Sequence, residues 1–227
     1  MPVVLLTGFE PFGGDAFNPS IAIAERLDGA VIRDPVSIAR AVIRAERLPC
    51  VFGAALEALD RALRRHRPTL AIALGLAASR ADISIERIAI NVDDARIPDN
   101  AGQQPFDTRI VAHGPAAYWS TLPIKAMVAA IRAAGLPASV SQSAGTFVCN
   151  HVFYGLAHRV AARRRRTRAA PLRGGFIHVP MPSDGPGAVA SGAGLTLEQM
   201  TDAIRIAIEV AVLRDGDERG HAFGAID

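Results

Sequence analysis

The sequence predicts an α/β fold: a three-layer sandwich in which an open, twisted, mostly parallel sheet carries helices on both faces. Three observations predict it. Short apolar runs with strand character alternate with longer segments of helical period along the 227 residues. The apolar runs are continuous, the pattern of strands covered on both sides. No Gly/Ser or Pro-rich linker and no fixed-period repeat divides the chain, so one domain over residues 1–227 is expected. Half of the residues are hydrophobic and 21% are charged, which suits a buried core and excludes a disordered chain.

The first strand, residues 3–6, breaks at Thr7-Gly8. A helix follows over 19–27, because Asn18 can cap it and Pro19 suits its first position. Residues 51–65 have helical period and residues 70–74 read as a strand. From 83 to 92 the alternation changes phase: Ile83 and Ile85 are odd, whereas Ile88, Ile90 and Val92 are even. The register therefore slips at Glu86-Arg87, which predicts a bulge or a change of direction there. A helix over 124–134 stops at Gly135, a strand surrounds 139–141, and a helix runs over 148–163. Residues 176–179 form a strand that Pro180 ends, and Thr196 with Gln199 forms a capping box for a last helix over 197–212. The loops 95–114 and 181–194 are long and rich in Gly, Pro and Asp, where a rigid scaffold carries its sites.

The net charge of +3 is local. Arg163, Arg164, Arg165, Arg166 and Arg168 supply five charges in six residues, and without them 20 basic face 22 acidic residues. The run reads as a solvated helix end, and neither Trp nor Tyr stands beside it to stack on a base, so no nucleic-acid partner is expected. A nucleic-acid or acidic-partner binding protein is the non-enzyme alternative. No stretch reaches the roughly 18 apolar residues of a membrane span, and the first apolar run lacks a basic leader. Two cysteines are too few for a disulfide framework or a cysteine-based zinc site, so a cytoplasmic, reducing compartment is expected, with no membrane partner.

Cys149 follows a small-residue turn and opens a helix, where backbone N–H groups and the helix dipole favour a thiolate. Cys50, between Pro49 and Val51, reads as an inert buried thiol. A nucleophilic cysteine needs a base and an orienting acid. His178, at the carboxyl end of a strand, projects at the edge where open sheets place their crevice, and His151 competes with it. His66, His113, His158 and His221 stand in polar contexts and read as solvated. Glu86, set in an apolar strand, is costly unless paired; Asp93, Asp94 and Asp99 compete for the acid's role, and a salt bridge to Arg80 or Arg96 is the structural alternative. The glycines of Thr7-Gly-Phe-Glu-Pro-Phe-Gly-Gly14 match no nucleotide-binding spacing, but the two phenylalanines suit an apolar slot for a small flat ligand.

Four blocks in order resemble the pyroglutamyl peptidase I (pyrrolidone carboxyl peptidase) family of cysteine peptidases. They are Thr7-Gly-Phe-Glu-Pro-Phe-Gly-Gly14 with Asn18-Pro-Ser20; Glu86-Arg-Ile-Ala-Ile-Asn91 with Asp94-Ala-Arg-Ile-Pro-Asp-Asn100; Ser143-Ala-Gly-Thr-Phe-Val-Cys-Asn150; and Gly175-Phe-Ile-His-Val-Pro180. The resemblance covers essentially the whole chain. It implies a catalytic triad of Cys149, His178 and Glu86, substrate contacts from Phe9, Phe12, Asn18, Arg96, Ile97, Phe147 and Val148, and no cofactor or metal. It also implies removal of an N-terminal 5-oxoproline from peptides, and a homo-oligomer, frequently a tetramer. One block departs: where the family usually has Gly-Gln-Ala-Gly-Gly-Arg, this chain has Gly75-Leu-Ala-Ala-Ser-Arg80. The lost amide at Leu76, and Ala78-Ser79 in place of two glycines, open an alternative, a related amidase with altered small-ring or acyl specificity.

Overall fold

A computed structural model describes residues 1–33, 40–166, 172–184 and 194–214. In chain order the elements are β1 (Val3–Phe9), α1 (Pro19–Leu27), β2 (Val31–Arg33), β3 (Arg40–Leu48), α2 (Ala54–His66), β4 (Leu70–Leu76), β5 (Ile83–Glu86) and β6 (Ile88–Ile90). Then follow β7 (Ala117–Trp119), α3 (Ile124–Ala133), β8 (Ala138–Ser141), α4 (Val148–Arg166), β9 (Arg173–Val179) and α5 (Leu197–Leu213). A seven-stranded sheet has the order β2-β3-β1-β4-β9-β5-β8. Its centre, β3, β1, β4 and β9, is parallel. Strand β2 joins one edge antiparallel to β3, and the parallel pair β5–β8 joins the other antiparallel to β9, so the sheet is mixed but mostly parallel.

Side-chain alternation divides the core into two layers. Val4 and Leu6 of β1, Leu70, Ile72 and Leu74 of β4 and Ile177 and Val179 of β9 pack beneath α1, α3 and α5. The opposite phase, Leu5 and Phe9, Ala71 and Ala73, and Phe176, packs beneath α2 and α4. Both faces of the central strands are thus covered, which is why they read as unbroken apolar runs. No helix among the described residues is long and apolar enough to cross a membrane.

The predicted caps form. Asn18 Oδ1 accepts from Ser20 N at 3.0 Å with Pro19 opening α1. Thr196 and Gln199 exchange both bonds of a capping box at 3.1 and 2.9 Å. Gly135 takes φ 77 directly after the end of α3. The phase slip at Glu86-Arg87 is a change of direction: β5 ends at Glu86, and β6 leaves to pair with β7 in a separate two-stranded sheet.

Strand β3 is not legible by composition. Its sequence RAVIRAERL is rich in helix formers, and tertiary pairing with β1 and β2 overrides that preference. Because β3 extends to Leu48, α2 starts at Ala54 rather than 51. Helix α4 continues through the arginines to Arg166, while Arg168 lies outside the described residues.

Candidate active site

The central parallel strands end at one edge of the sheet, and α4 begins above that edge. Along β9 the side chains of Phe176 and His178 face α4, because Ile177 and Val179 face the other core. The same alternation in β5 sends Ile83 and Ile85 to the far side and turns Ser84 and Glu86 toward α4. Glu86 and His178 therefore meet on one face. His178 Nδ1 donates to Glu86 Oε1 at 2.8 Å, with His178 4% exposed and Glu86 fully buried. Arg80 Nη1 donates to the same carboxylate oxygen at 2.8 Å, and its Nη2 donates to the Ser143 carbonyl at 3.1 Å. Arg80 thus ties the turn after β4 to the loop entering α4. The ion pair to Arg80 and the bond to the His178 ring thus share one carboxylate oxygen.

Burial alone would raise the Glu86 carboxyl, but the His178 N–H, the imidazole's positive end and the Arg80 guanidinium outweigh it and hold the group below its ordinary range. Burial lowers His178, and the Glu86 contact offsets this only in part, so the ring is neutral at neutral pH. A neutral imidazole that gives its Nδ1 proton to Glu86 presents Nε2 as a proton acceptor. Glu86 Oε2 is buried without a partner among the described residues. Its cross-strand neighbour Ser141 directs its hydroxyl to the Ser143 carbonyl at 3.1 Å and also lowers the Glu86 carboxyl.

Cys149 is the second residue of α4. The first intrahelical bond runs from His151 N to Phe147 O at 3.1 Å, and the earlier amides of the first turn have no acceptor among the described residues. The sulfur lies over Gly75, where an added Cβ would come within 2.8 Å of Sγ and 2.7 Å of the Phe176 ring. Gly75 is the strand partner of His178, so the sulfur lies over the strand next to the one that carries the imidazole. No hydrogen bond joins the two side chains among the described residues in this resting arrangement; such contacts commonly tighten only when substrate binds.

One expectation is corrected. The helix start was expected to favour the thiolate, but burial, with Cys50 and Glu86 adding to it and Arg80 opposing, pushes the Cys149 thiol above its ordinary value. The resting pair is a thiol beside a neutral imidazole.

The competitors for the triad are accounted for. His151 cannot be the base: Nδ1 donates to Asp93 Oδ2 at 2.7 Å and Nε2 accepts from Gly53 N at 3.0 Å. Asp99 accepts from Phe52 N, Ala101 N and Gln103 N, each at 2.8 Å, and folds its own loop. Asp94 is exposed on that loop. Asn150, beside Cys149, is fully buried and staples α4 to the 90–92 segment through Ile90 N, Ile90 O and Val92 O at 2.9–3.1 Å. His66 and His158, expected to be solvated, are bonded to Glu46 at 2.6 Å and Tyr118 at 2.9 Å, while His113 is exposed and His221 lies outside the described residues.

Beside the sulfur is a cavity of about 140 Å³ lined by Phe9, Phe12, Asp15, Phe17, Asn18, Cys50, Leu76, Phe147 and Cys149. Phe12 leans on Phe147 at 5.1 Å between centroids, and Phe147 meets the edge of Phe52 at 5.3 Å. The Asn18 amide is spent on Glu10 O and Ser20, so it offers the cavity little polarity. Glu10 Oε1 accepts from both Cys50 N at 3.0 Å and Asn100 Nδ2 at 2.9 Å, joining the three loops that surround the opening. Of the implied contacts, Phe9, Phe12, Asn18 and Phe147 line the cavity; Val148 is buried at the start of α4, and Arg96 and Ile97 are exposed on the loop, away from its wall.

Asp15, Phe17 and Cys50 were not foreseen in the wall. Asp15 and Phe17 continue the Gly13-Gly14 loop, and Cys50 follows β3, a parallel strand whose end must reach this edge once it is recognised. A model of the pyroglutamyl peptidase family matches residues 2–214. The chain belongs to that family. It is 54% identical over 219 residues to a pyrrolidone-carboxylate peptidase of Cupriavidus taiwanensis, covering 96% of this chain and 97% of that protein. A pyrrolidone-carboxylate peptidase of Chromobacterium violaceum is 53% identical over 223 residues, covering 96% and 97%. Among solved structures, pyroglutamyl peptidase I of Bacillus amyloliquefaciens superimposes with a TM-score of 0.85 at 44% identity, over 96% of this chain and all of that one. The pyrrolidone carboxyl peptidase of Thermococcus litoralis gives 0.81 at 39% identity, over 93% and 94%.

The three positions at which the resemblance implies a departure, Leu76, Ala78 and Ser79, stand in different places. Leu76 is in the cavity wall, so its apolar side chain bears directly on the pocket. Ala78 and Ser79 are exposed, and neither has the positive φ that would call for glycine, so they leave the turn to Arg80 undisturbed. Gly75, in contrast, has no room for a side chain. Gly75→Ala is expected to displace the Cys149 sulfur and lower kcat/KM by about 10²-fold, the usual cost of a 1 Å misplacement. Steady-state kinetics alongside a melting curve check this; unchanged kcat/KM would contradict the packing described.

Proposed function

We propose that this pyroglutamyl-peptidase family member is a cysteine exopeptidase that cleaves the amide bond after an N-terminal 5-oxoproline, with Cys149 as nucleophile, His178 as base and acid, and Glu86 as the group that orients the imidazole. The buried Glu86–His178 bond, on the strand next to the one over which the Cys149 sulfur lies at a helix start, carries the reading. Nε2 of the neutral His178 takes the thiol proton as Sγ attacks the exocyclic carbonyl carbon. The free amides of the first turn of α4 meet the oxyanion. The imidazolium then gives its proton to the departing amine, leaving a thioester. A water molecule, deprotonated by His178, attacks that thioester and releases 5-oxoproline and the thiol. Glu86 accepts from Nδ1 throughout and fixes the tautomer.

The cavity supports the choice of substrate. An apolar cavity of about 150 Å³ in another protein takes up benzene, so the volume beside Cys149 suits one small ring. Phe9, Phe12, Phe17, Phe147 and Leu76 stabilise a neutral lactam by contact, and the exposed Asp15 is the one carboxylate among the lining residues. The rate of chromophore release from a pyroglutamyl amide, compared with the glutamyl and prolyl analogues, tests this: pyroglutamyl should exceed both. Leu76 favours one second reading, the same thioester chemistry on another small ring or acyl group, and a prolyl or other acyl amide cleaved faster would select it.

The pH dependence follows from His178. Activity needs its neutral form, and burial lowers its proton affinity below the ordinary value of 6.5, so the acid limb of kcat/KM should fall below pH 6.5. An acid limb centred above pH 7 would contradict it. Stability follows the same sign: the unfolded histidine binds its proton first, so this contribution, complete above about pH 6.5, is lost as pH falls from there toward the lower folded value. The reading also places the protein in the cytoplasm, in keeping with its two free thiols, and in an assembly of several copies. Light scattering tests the latter.

A further inference from the structure

The fold brings together two arginine clusters that are about 100 residues apart in sequence. Helices α2 and α4 lie side by side and run in the same direction: Gly155 packs on Leu56, and one turn later Arg159 Nη2 donates to Asp60 Oδ2 at 2.6 Å. The next step of the same register places Arg64 beside Arg163. Arg64, Arg65 and Arg67 at the end of α2, and Arg163, Arg164 and Arg165 at the end of α4, are all exposed. Among the described residues only Arg65 of these six has an acidic partner, Glu46 at 3.0 Å. Arg67 stands at the left-handed end of α2, φ 46, a conformation that glycine adopts without strain.

These helices return against the strands, so their ends lie at the pole opposite the cavity. Without the six arginines the chain has 19 basic against 22 acidic residues, which makes the molecule electrically two-sided. Like charges at facing turns repel unless an anion lies between them. We infer that this pole binds the phosphate backbone of nucleic acid without reading its bases. Arginine forks match phosphate oxygens. No Phe, Tyr or Trp stands among the six to stack on a base, and the ring of His66 between Arg65 and Arg67 is held on Glu46 at 2.6 Å, which removes sequence preference but not backbone affinity. Neither helix exposes a large apolar side chain of the kind that inserts into a membrane surface, so nucleic acid is favoured over anionic lipid. The sequence alone shows the α4 run in isolation, which is why no such partner is expected from it.

Fluorescence anisotropy of labelled duplex DNA of random sequence, titrated with the full chain at a series of salt concentrations, tests the inference. Six phosphate contacts predict a slope of log K against log salt of about −5, and an affinity loss of about 10³-fold between 50 and 200 mM salt. In the combined variant Arg64→Gln, Arg163→Gln, Arg164→Gln and Arg165→Gln the slope should fall to about −2, with pyroglutamyl-amide hydrolysis unchanged. Arg205→Gln, on the other face of the sheet, should leave the slope as it was. No binding at low salt, an unchanged slope in the combined variant, or tighter binding to phosphatidylserine vesicles than to DNA would each overturn it.

Discussion

Cys149→Ala is expected to reduce hydrolysis of a pyroglutamyl amide by at least about 10⁴-fold, to near background, with the melting temperature close to that of the parent. The sulfur makes no hydrogen bond that holds the fold among the described residues, and its small partly exposed side chain leaves little void on truncation. His178→Ala should lose a similar amount, and the double variant should be no worse than either single one, because nucleophile and base act as a unit. Kinetics on the two single variants and the double variant, each checked by circular dichroism, decide the matter. Activity within tenfold of the parent in Cys149→Ala would remove this residue from the chemistry.

Glu86→Gln should lower kcat by about 10²–10⁴-fold with a smaller change in KM. The neutral amide keeps the volume but removes the charge that fixes the Nδ1–H tautomer of His178, and it can present an N–H where His178 needs an acceptor. It also leaves Arg80 without its carboxylate partner. Arg80 is only partly buried, so Arg80→Gln should cost less than Glu86→Gln in kcat. The pH profile separates an electrostatic role from a merely structural one. In Glu86→Gln the acid limb should move to still lower pH, because the one neighbour that raises the proton affinity of His178 is gone. An unmoved limb with parental kcat would make Glu86 a structural ion-pair partner alone.

Much of this site could be read from the chain because its parts are coupled to local rules. His178 is placed by Pro180, which ends β9, and Glu86 by the phase slip that marks where β5 leaves the sheet. Asn18, Thr196 and Gly135 announced their helix ends through side-chain and backbone chemistry that is local in sequence. What was missed depends on long-range pairing. Strand β3 is composed of helix formers, so its end, and with it Cys50 in the cavity wall, could not be placed before its pairing with β1 was seen. His151 looked free because its partners Asp93 and Gly53 are 58 and 98 residues away. Burial, a tertiary quantity, raises the Cys149 thiol, whereas the sequence displays only the helix start. The substrate class came from the four-block resemblance, which neither periodicity nor spacing could replace and which the match of the family model over residues 2–214 bears out.

Trapping the thioester tests the central claim most directly. Enzyme mixed with a pyroglutamyl ester, quenched in acid and digested, should yield a peptide bearing one pyroglutamyl group on Cys149, absent in Cys149→Ala and accumulating when His178 is replaced after acylation is forced by the activated ester. A pyroglutamyl group found on Cys50 alone, or turnover of the ester with no acylated cysteine at any time point, would contradict the account.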